Sequence, residues 1–391
     1  MGRKVYLDSA ATTYVSGEVL AEMLPCFNAI YGNSNSVHSY GRDASGIVDR
    51  ARDRVAHAIG AEKSNEIYFT SGGTEANNWA IRGLAHAYKA KGKHIITSEI
   101  EHHSVLDACK SLEQEGFEVT YLPVDQTGLV SIPDLLHAIK KETTLISIMA
   151  VNNEVGTIQN VKAIAKIAHE YNIIFHTDAV QALGAVKVNV KDMEIDAMTL
   201  SAHKIYGPKG AGCLYLKNGL KIENMFMGGS QERGKRGGTI NVPAVAGFGK
   251  ATELAVRDLS INQQKMKIER EYMLKLINDK IPYVHVNGHP QQKVNNIINI
   301  SFDMVDKESL LMMLDMEGIA VSAGSACTSN SVEESHVIKA MHLENEVANG
   351  AIRLSLGKNI TKSDIDYVVE TLAKVVERLR SISALTKAGR K

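Results

Sequence analysis

Short apolar runs rich in β-formers recur through the middle of this chain at 67–70, 94–98, 118–122, 145–151, 173–177, 197–200 and 212–216, and helix-spaced segments separate the earlier ones. Trp79, Ala80, Leu84, Ala87 and Tyr88 fall on one helical face, and Ile164, Ile167 and Ala168 share another after Val161. Parallel strands need long crossovers, and helices are the usual ones. Such alternation therefore predicts an α/β fold built on a mostly parallel, seven-stranded sheet covered by helices. In sheets of this kind ligands gather outside the carboxyl ends of the strands, so chemistry is expected there.

Beyond about residue 245 the texture changes. A charged, helix-like stretch runs from Ala244 towards Ile277. A shorter α+β region follows, with strands expected at 296–302 and 351–355 and a last helix over 363–380. We therefore expect a large domain over 16–255 and a smaller one assembled from 1–15 with 256–391.

With 44 basic and 44 acidic residues the chain is formally neutral, which gives no electrostatic reason to expect nucleic acid or an anionic membrane as partner. The first residues, MGRKVYLDSAATTY, contain no long apolar run, so neither a secretory signal nor a membrane span is expected. The four cysteines, Cys26, Cys109, Cys213 and Cys327, form no CxxC pair, which argues against a disulfide framework or a structural zinc site. The reducing cytoplasm is the expected compartment. Cys327 stands apart, because it sits in SAGSACTSNS, a run of small polar residues with little to offer a core. Cys26, Cys109 and Cys213 are expected to be buried and structural.

Several polar clusters follow strand ends. In SAHKIYGPKG, Lys204 lies just past a strand, where its amine can form a Schiff base with an aldehyde cofactor, and Ser201 and His203 can donate to a phosphate. Alone, Lys204 reads more readily as a surface lysine beside a Gly-Pro turn. Asp178 in HTDAVQ can pair with a pyridinium nitrogen, or simply cap a helix. In TSGGTEANNWAI, Gly73 and Thr74 open a helix whose first N–H groups suit a phosphate, with an ordinary cap at Thr74 as the plainer alternative. His102 in SEIEHHSVLD can stack on a ring and move protons. Asn153 in VNNEVGT can bond a polar substituent, although asparagines at strand ends are mostly turn residues. Arg353 in AIRLSLGKN suits a substrate carboxylate or a structural ion pair.

Together LDSAATT, TSGGTEANN, EHHSVLD, VNNEVGT, HTDAVQ, SAHKIYGPKG, ERGKRGGT, SAGSACTS and IRLSLG occur in the order seen in cysteine desulfurases. The resemblance runs from about Val5 to about Arg380 and points to the group I branch, which serves iron–sulfur assembly. These are class-V aminotransferases with fold-type I architecture and pyridoxal 5'-phosphate (PLP) as cofactor.

The resemblance implies that Lys204 binds PLP covalently, Asp178 pairs with the pyridine nitrogen, and Gln181 and Asn153 contact the phenolic oxygen. It implies that His102 stacks on the ring, and that Gly73, Thr74, Ser201 and His203 hold the phosphate. Thr239 would reach the phosphate of the partner subunit in a homodimer. Arg353, with Asn33 near it, would bind the substrate carboxylate.

Cys327 would take sulfur from L-cysteine as a persulfide, with L-alanine as the other product. The acceptor would be an iron–sulfur scaffold or another sulfur-transfer protein. No metal ion is expected on the protein alone, though Cys327 is a candidate ligand of a nascent cluster on a scaffold. The rival readings are a plain aminotransferase, a selenocysteine lyase and a non-catalytic PLP protein. An aminotransferase has no need of the loop thiol.

Overall fold

The computed structural model describes residues 3–324 and 335–382. Its strands are β1 (Val5–Tyr6), β2 (Ile67–Thr70), β3 (His94–Ser98), β4 (Glu118–Leu122), β5 (Thr143–Ser147), β6 (Ile174–Asp178), β7 (Ala197–Ser201), β8 (Gly212–Leu216), β9 (Val284–Asn287), β10 (Ile297–Phe302), β11 (Ile319–Ala320) and β12 (Ala351–Ser355). The large sheet has seven strands in the order β2-β8-β7-β6-β5-β3-β4. Only β8 runs against its neighbours, pairing antiparallel with β2 and β7, while the other contacts are parallel. Strands β3, β5, β6, β7 and β8 are buried along their whole length, as expected where helices cover both faces.

The apolar run expected as a strand over 145–151 leaves the ladder at Ser147. Ile148 N and Ala150 N still bond to His176 O and Asp178 O, so the chain stays extended beside β6. Its residues are apolar because Ile148, Met149, Ala150 and Val151 are buried beneath the sheet's carboxyl edge.

The segment expected as one helix from Ala244 is two, Val242–Arg257 and Leu259–Lys280, broken at Asp258 where ψ is 5°. The first packs on helix Ser39–Ala58 of the sheet layer, and the second on helix Lys362–Ile382. Each half therefore serves a different core.

The second core gathers Val5 and Leu7 with Met273, Ile277, Ile298, Ile300, Phe302, Ile352, Leu354 and the inner face of helix Lys362–Ile382. A small antiparallel sheet, β12-β10-β9, runs through it. The N-terminal strand β1 pairs with β11, so the first residues belong to this layer.

Candidate active site

A cavity of about 280 Å³ opens at the carboxyl ends of the central strands. Its wall includes Lys204, Asp178, His102, Asn153, Gln181 and Arg353, together with Gly73, Thr74, Ser201 and His203. Residues scattered over most of the chain converge because all but Arg353 lie at or after strands that end at the same edge of the large sheet, and β12 of the small sheet brings Arg353 to that edge.

Lys204 closes the short 3-10 turn Ala202–Lys204 directly after β7. Its Nζ donates to the carbonyl oxygens of Ala10 and Ala11, which brings the N-terminal segment into the site. Asp178 ends β6. Its Oδ1 accepts from Val180 N at 2.9 Å, so the capping alternative resolves into a turn with no regular helix behind it. Its Oδ2 accepts from Asn77 Nδ2 at 2.7 Å. Gln181 Nε2 donates to Ala10 O.

His102 is the N-cap of helix His103–Glu113, with Nδ1 accepting from Ser104 N. Burial pushes its pKa below the usual histidine value. Asp178 opposes that shift, and Lys204, His103 and His336 reinforce it.

Helix Gly73–Tyr88 begins beside this cluster. Its N-cap is Gly72, so the plainer alternative of a cap at Thr74 does not hold, and the cap makes no side-chain bond. The first N–H groups of a helix have no intrahelical acceptor. Beside them Ser201 Oγ is buried with no partner among the described residues, and a Cβ on Gly73 would meet Val180 Cγ2 at 3.0 Å. His203 pairs with Thr12 Oγ1, and burial with Lys204 and Lys209 nearby pulls its pKa to about 4. The result is a close-fitting cradle of donors suited to an anion.

Arg353, in β12, is 2% exposed. It pairs with Asp8 Oδ1 at 2.8 Å and donates to the carbonyl oxygens of Asn153 and Gly324. The structural ion pair is therefore real, and the guanidinium still borders the cavity. Its Nε is buried without a partner among the described residues.

Two expected site residues do not line this cavity. Asn33 is exposed, and its Oδ1 accepts from Asn35 N. Thr239 is exposed as well, after a segment pinned by buried Arg52–Glu232 and by Arg236–Glu75. Cys327 lies outside the described residues. Cys26, Cys109 and Cys213 are buried.

The sequence reading missed Asn77 and Ser104, which tie Asp178 to His102. Asn77 sits three residues after Thr74, one helical turn along the same face, and that spacing was the available signal.

The aminotransferase class-V family model matches residues 5–368. A cysteine desulfurase IscS of Clostridium botulinum is 50% identical over 387 residues, covering 98% of this chain and 97% of its own. A cysteine desulfurase IscS of Methanosarcina thermophila is 49% identical over 384 residues, covering 98% and 95%. Among solved structures, a NifS-like protein superposes with a TM-score of 0.91 at 36% identity, over 96% of this chain and 100% of that one. The family match covers nearly the whole chain, and the sheet with its strand-end lysine and aspartate is the matching architecture. The chain belongs to the class-V aminotransferase family, with the fold-type I architecture of PLP enzymes.

Proposed function

We propose that the protein is a cysteine desulfurase that uses PLP to remove sulfur from L-cysteine, releasing L-alanine and leaving the sulfur on Cys327 as a persulfide. The carrying observation is the convergence of Lys204, Asp178 and His102 on one cavity whose wall also holds Arg353. The near full-length similarity to cysteine desulfurases selects this reaction among those of the family.

The residues fit the cofactor. The cradle of Gly73, Thr74, Ser201 and His203 suits its phosphate, and the partnerless Ser201 Oγ supplies a donor there. Asp178 would hold the ring nitrogen, Gln181 and Asn153 the ring oxygen, and His102 the ring face, with Lys204 as the covalent anchor. When bound, PLP draws electrons from the substrate α-carbon.

The chain's own groups do the rest. Lys204 accepts the α-proton and returns it. Arg353 binds the substrate carboxylate through the fork that Asp8 leaves open, with Asn33 assigned near it. Cys327 attacks the substrate sulfur as a thiolate, and its S–S bond forms as the substrate's Cβ–S bond breaks, the electron pair staying on the carbon that takes up a proton and leaves as L-alanine. His102 handles the proton of the substrate thiol.

The active unit is a homodimer in which Thr239 completes the partner's phosphate site. An exposed apolar surface supports this, with Phe27 62%, Tyr31 64% and Val37 90% accessible in the single chain. The separate second core supports a small domain built from 1–15 with 256–391 against a large domain over 16–255. No helix of the described residues is long and apolar enough to cross a membrane. We place the enzyme in the cytoplasm, delivering sulfur to an iron–sulfur scaffold or another acceptor.

The test is alanine and sulfide release from L-cysteine with a thiol reductant, on PLP-loaded wild type and Cys327→Ala. Equal amounts of both products from wild type, and neither from the variant, support the reading. Consumption of a keto acid with an amino donor, and no alanine from cysteine, would replace it with an aminotransferase.

A further inference from the structure

Asn77 is 1% exposed, and its single amide nitrogen serves two acceptors. One is Asp178 Oδ2 at 2.7 Å and the other is Ser104 Oγ at 2.8 Å. The orientation of this amide follows from chemistry. A carboxylate only accepts, so the group facing it must donate. Both amide hydrogens are then used, and Asn77 Oδ1 is left without a partner among the described residues.

Ser104 Oγ accepts from Asn77, so its one hydrogen is free to go to His102 Nδ1, 2.8 Å away. Ser104 N donates to the same Nδ1 at 3.1 Å. A ring nitrogen that receives two donors carries no hydrogen of its own. In the neutral imidazole the hydrogen must then be on Nε2.

We propose that Asn77 and Ser104 are positioning residues that read the Asp178 carboxylate and fix His102 as the Nε2–H tautomer. This rests on the desulfurase reading for its catalytic meaning, and it deepens that reading. His102 presents a donor at Nε2. In the neutral ring it therefore meets the substrate's sulfur as a hydrogen-bond donor, the form in which it handles the proton there. A proton arriving at Nδ1 would displace both Ser104 donors, so the network opposes the imidazolium. The charged and titratable groups around this ring are Asp178 at the end of β6, Lys204 after β7, His103 on the same helix, and His336 of helix His336–Ala340. Asp178 alone among them favours the cation.

The test uses the PLP-loaded enzyme labelled with 15N-histidine, with the His102 signals assigned by loss in His102→Gln. Long-range proton–nitrogen correlation reads which ring nitrogen carries hydrogen. In wild type, Nδ1 is expected to be unprotonated and Nε2 protonated. Ser104→Ala removes one of the donors that stabilise the neutral ring, so His102 should titrate about one pH unit higher. Ser104→Thr keeps the hydroxyl and should titrate as wild type does. Asn77→Ala should move the titration the same way as Ser104→Ala, by less.

Hydrogen on Nδ1 in wild type overturns the proposal, and so does a Ser104→Ala titration indistinguishable from wild type. An Asn77→Ala titration equal to wild type removes Asn77 from it. Alanine formation from cysteine by the same samples separates the two readings. An Nδ1–H tautomer in an enzyme that makes alanine defeats only the positioning, and an Nε2–H tautomer in a protein that makes none defeats only the desulfurase.

Discussion

Lys204 Nζ donates to Ala10 O at 2.6 Å, across 194 positions of sequence, and to Ala11 O at 2.7 Å. Two carbonyl oxygens at this distance hold an ammonium in place beside the cavity, and they come from the N-terminal segment rather than from the sheet. Lys204→Ala leaves both carbonyls beside the cavity, where water can replace the lost donor, so the fold is expected to survive. Activity should fall by roughly 10²–10⁴-fold, the range of a lost proton-transfer group. The visible absorbance of lysine-bound cofactor should vanish while far-UV circular dichroism stays as in wild type. Retention of that absorbance would refute the covalent role.

Glu101 gives the protein a pH-dependent stability. Its side chain is fully buried, and burial pushes its pKa to about 8, against the opposing bonds from Met149 N and Ser98 Oγ. The folded protein therefore binds a proton that the unfolded chain releases near pH 4.5. The stabilisation is fully present below that value and is lost as pH rises through about 8. Between pH 5 and pH 9 the loss should be on the order of 4 kcal/mol, about 1.4 kcal/mol for each pH unit up to the folded pKa. Glu101→Gln keeps Oε1 for both donors and cannot ionise, so its melting temperature should be flatter over the same range. Parallel slopes for wild type and variant would show that Glu101 does not titrate in that window.

The buried thiols are predicted to be inert. Burial raises the pKa of Cys26, Cys109 and Cys213, with Cys109 pushed up to about 12. Thiolate is the reactive form, so these three should resist alkylation in the native state. Brief treatment with iodoacetamide followed by peptide mapping should label Cys327 and little else, and Cys327→Ala should remove the label. Native labelling of Cys109 or Cys213 would contradict the buried placement.

Much of this architecture was legible because β-rich runs and helix spacing are local signals. Strand β8 and strand β4 match their expected bounds, and the lysine, aspartate and histidine after strand ends follow from the same pattern. What stayed hidden depends on strand order. Asn77 meets Ser104 because helix Gly73–Tyr88 packs against helix His103–Glu113, a neighbourhood set by the placing of strands rather than by either segment. Asp8 meets Arg353 because β1 joins the small layer, and no local pattern links residues that far apart. The break at Asp258 was hidden for a similar reason, since the two helices it separates bury against different partners.

Thr239 offers the sharpest test of the dimer. It is exposed and does not border its own chain's cavity, yet it follows a segment fixed to the sheet edge by Arg236 on Glu75 and Arg52 on Glu232. Glu75 lies one residue beyond Thr74, so the two halves of the phosphate reading are mechanically joined. If Thr239 serves the partner's site, Thr239→Val should weaken PLP retention, while Lys204→Ala cuts turnover by roughly 10²–10⁴-fold. A heterodimer of the two variants then contains one site with both Lys204 and a partner's Thr239 intact. Co-expressed with distinct affinity tags and purified as the mixed species, it should recover about half of wild-type activity, as one working site of a dimer requires. Placing both changes in one chain and pairing it with wild type should instead leave no complete site, because the only intact lysine then faces a partner without Thr239. Equal activity of the two mixed species would mean that Thr239 serves neither site, and higher activity of the second would place it in the site of its own chain.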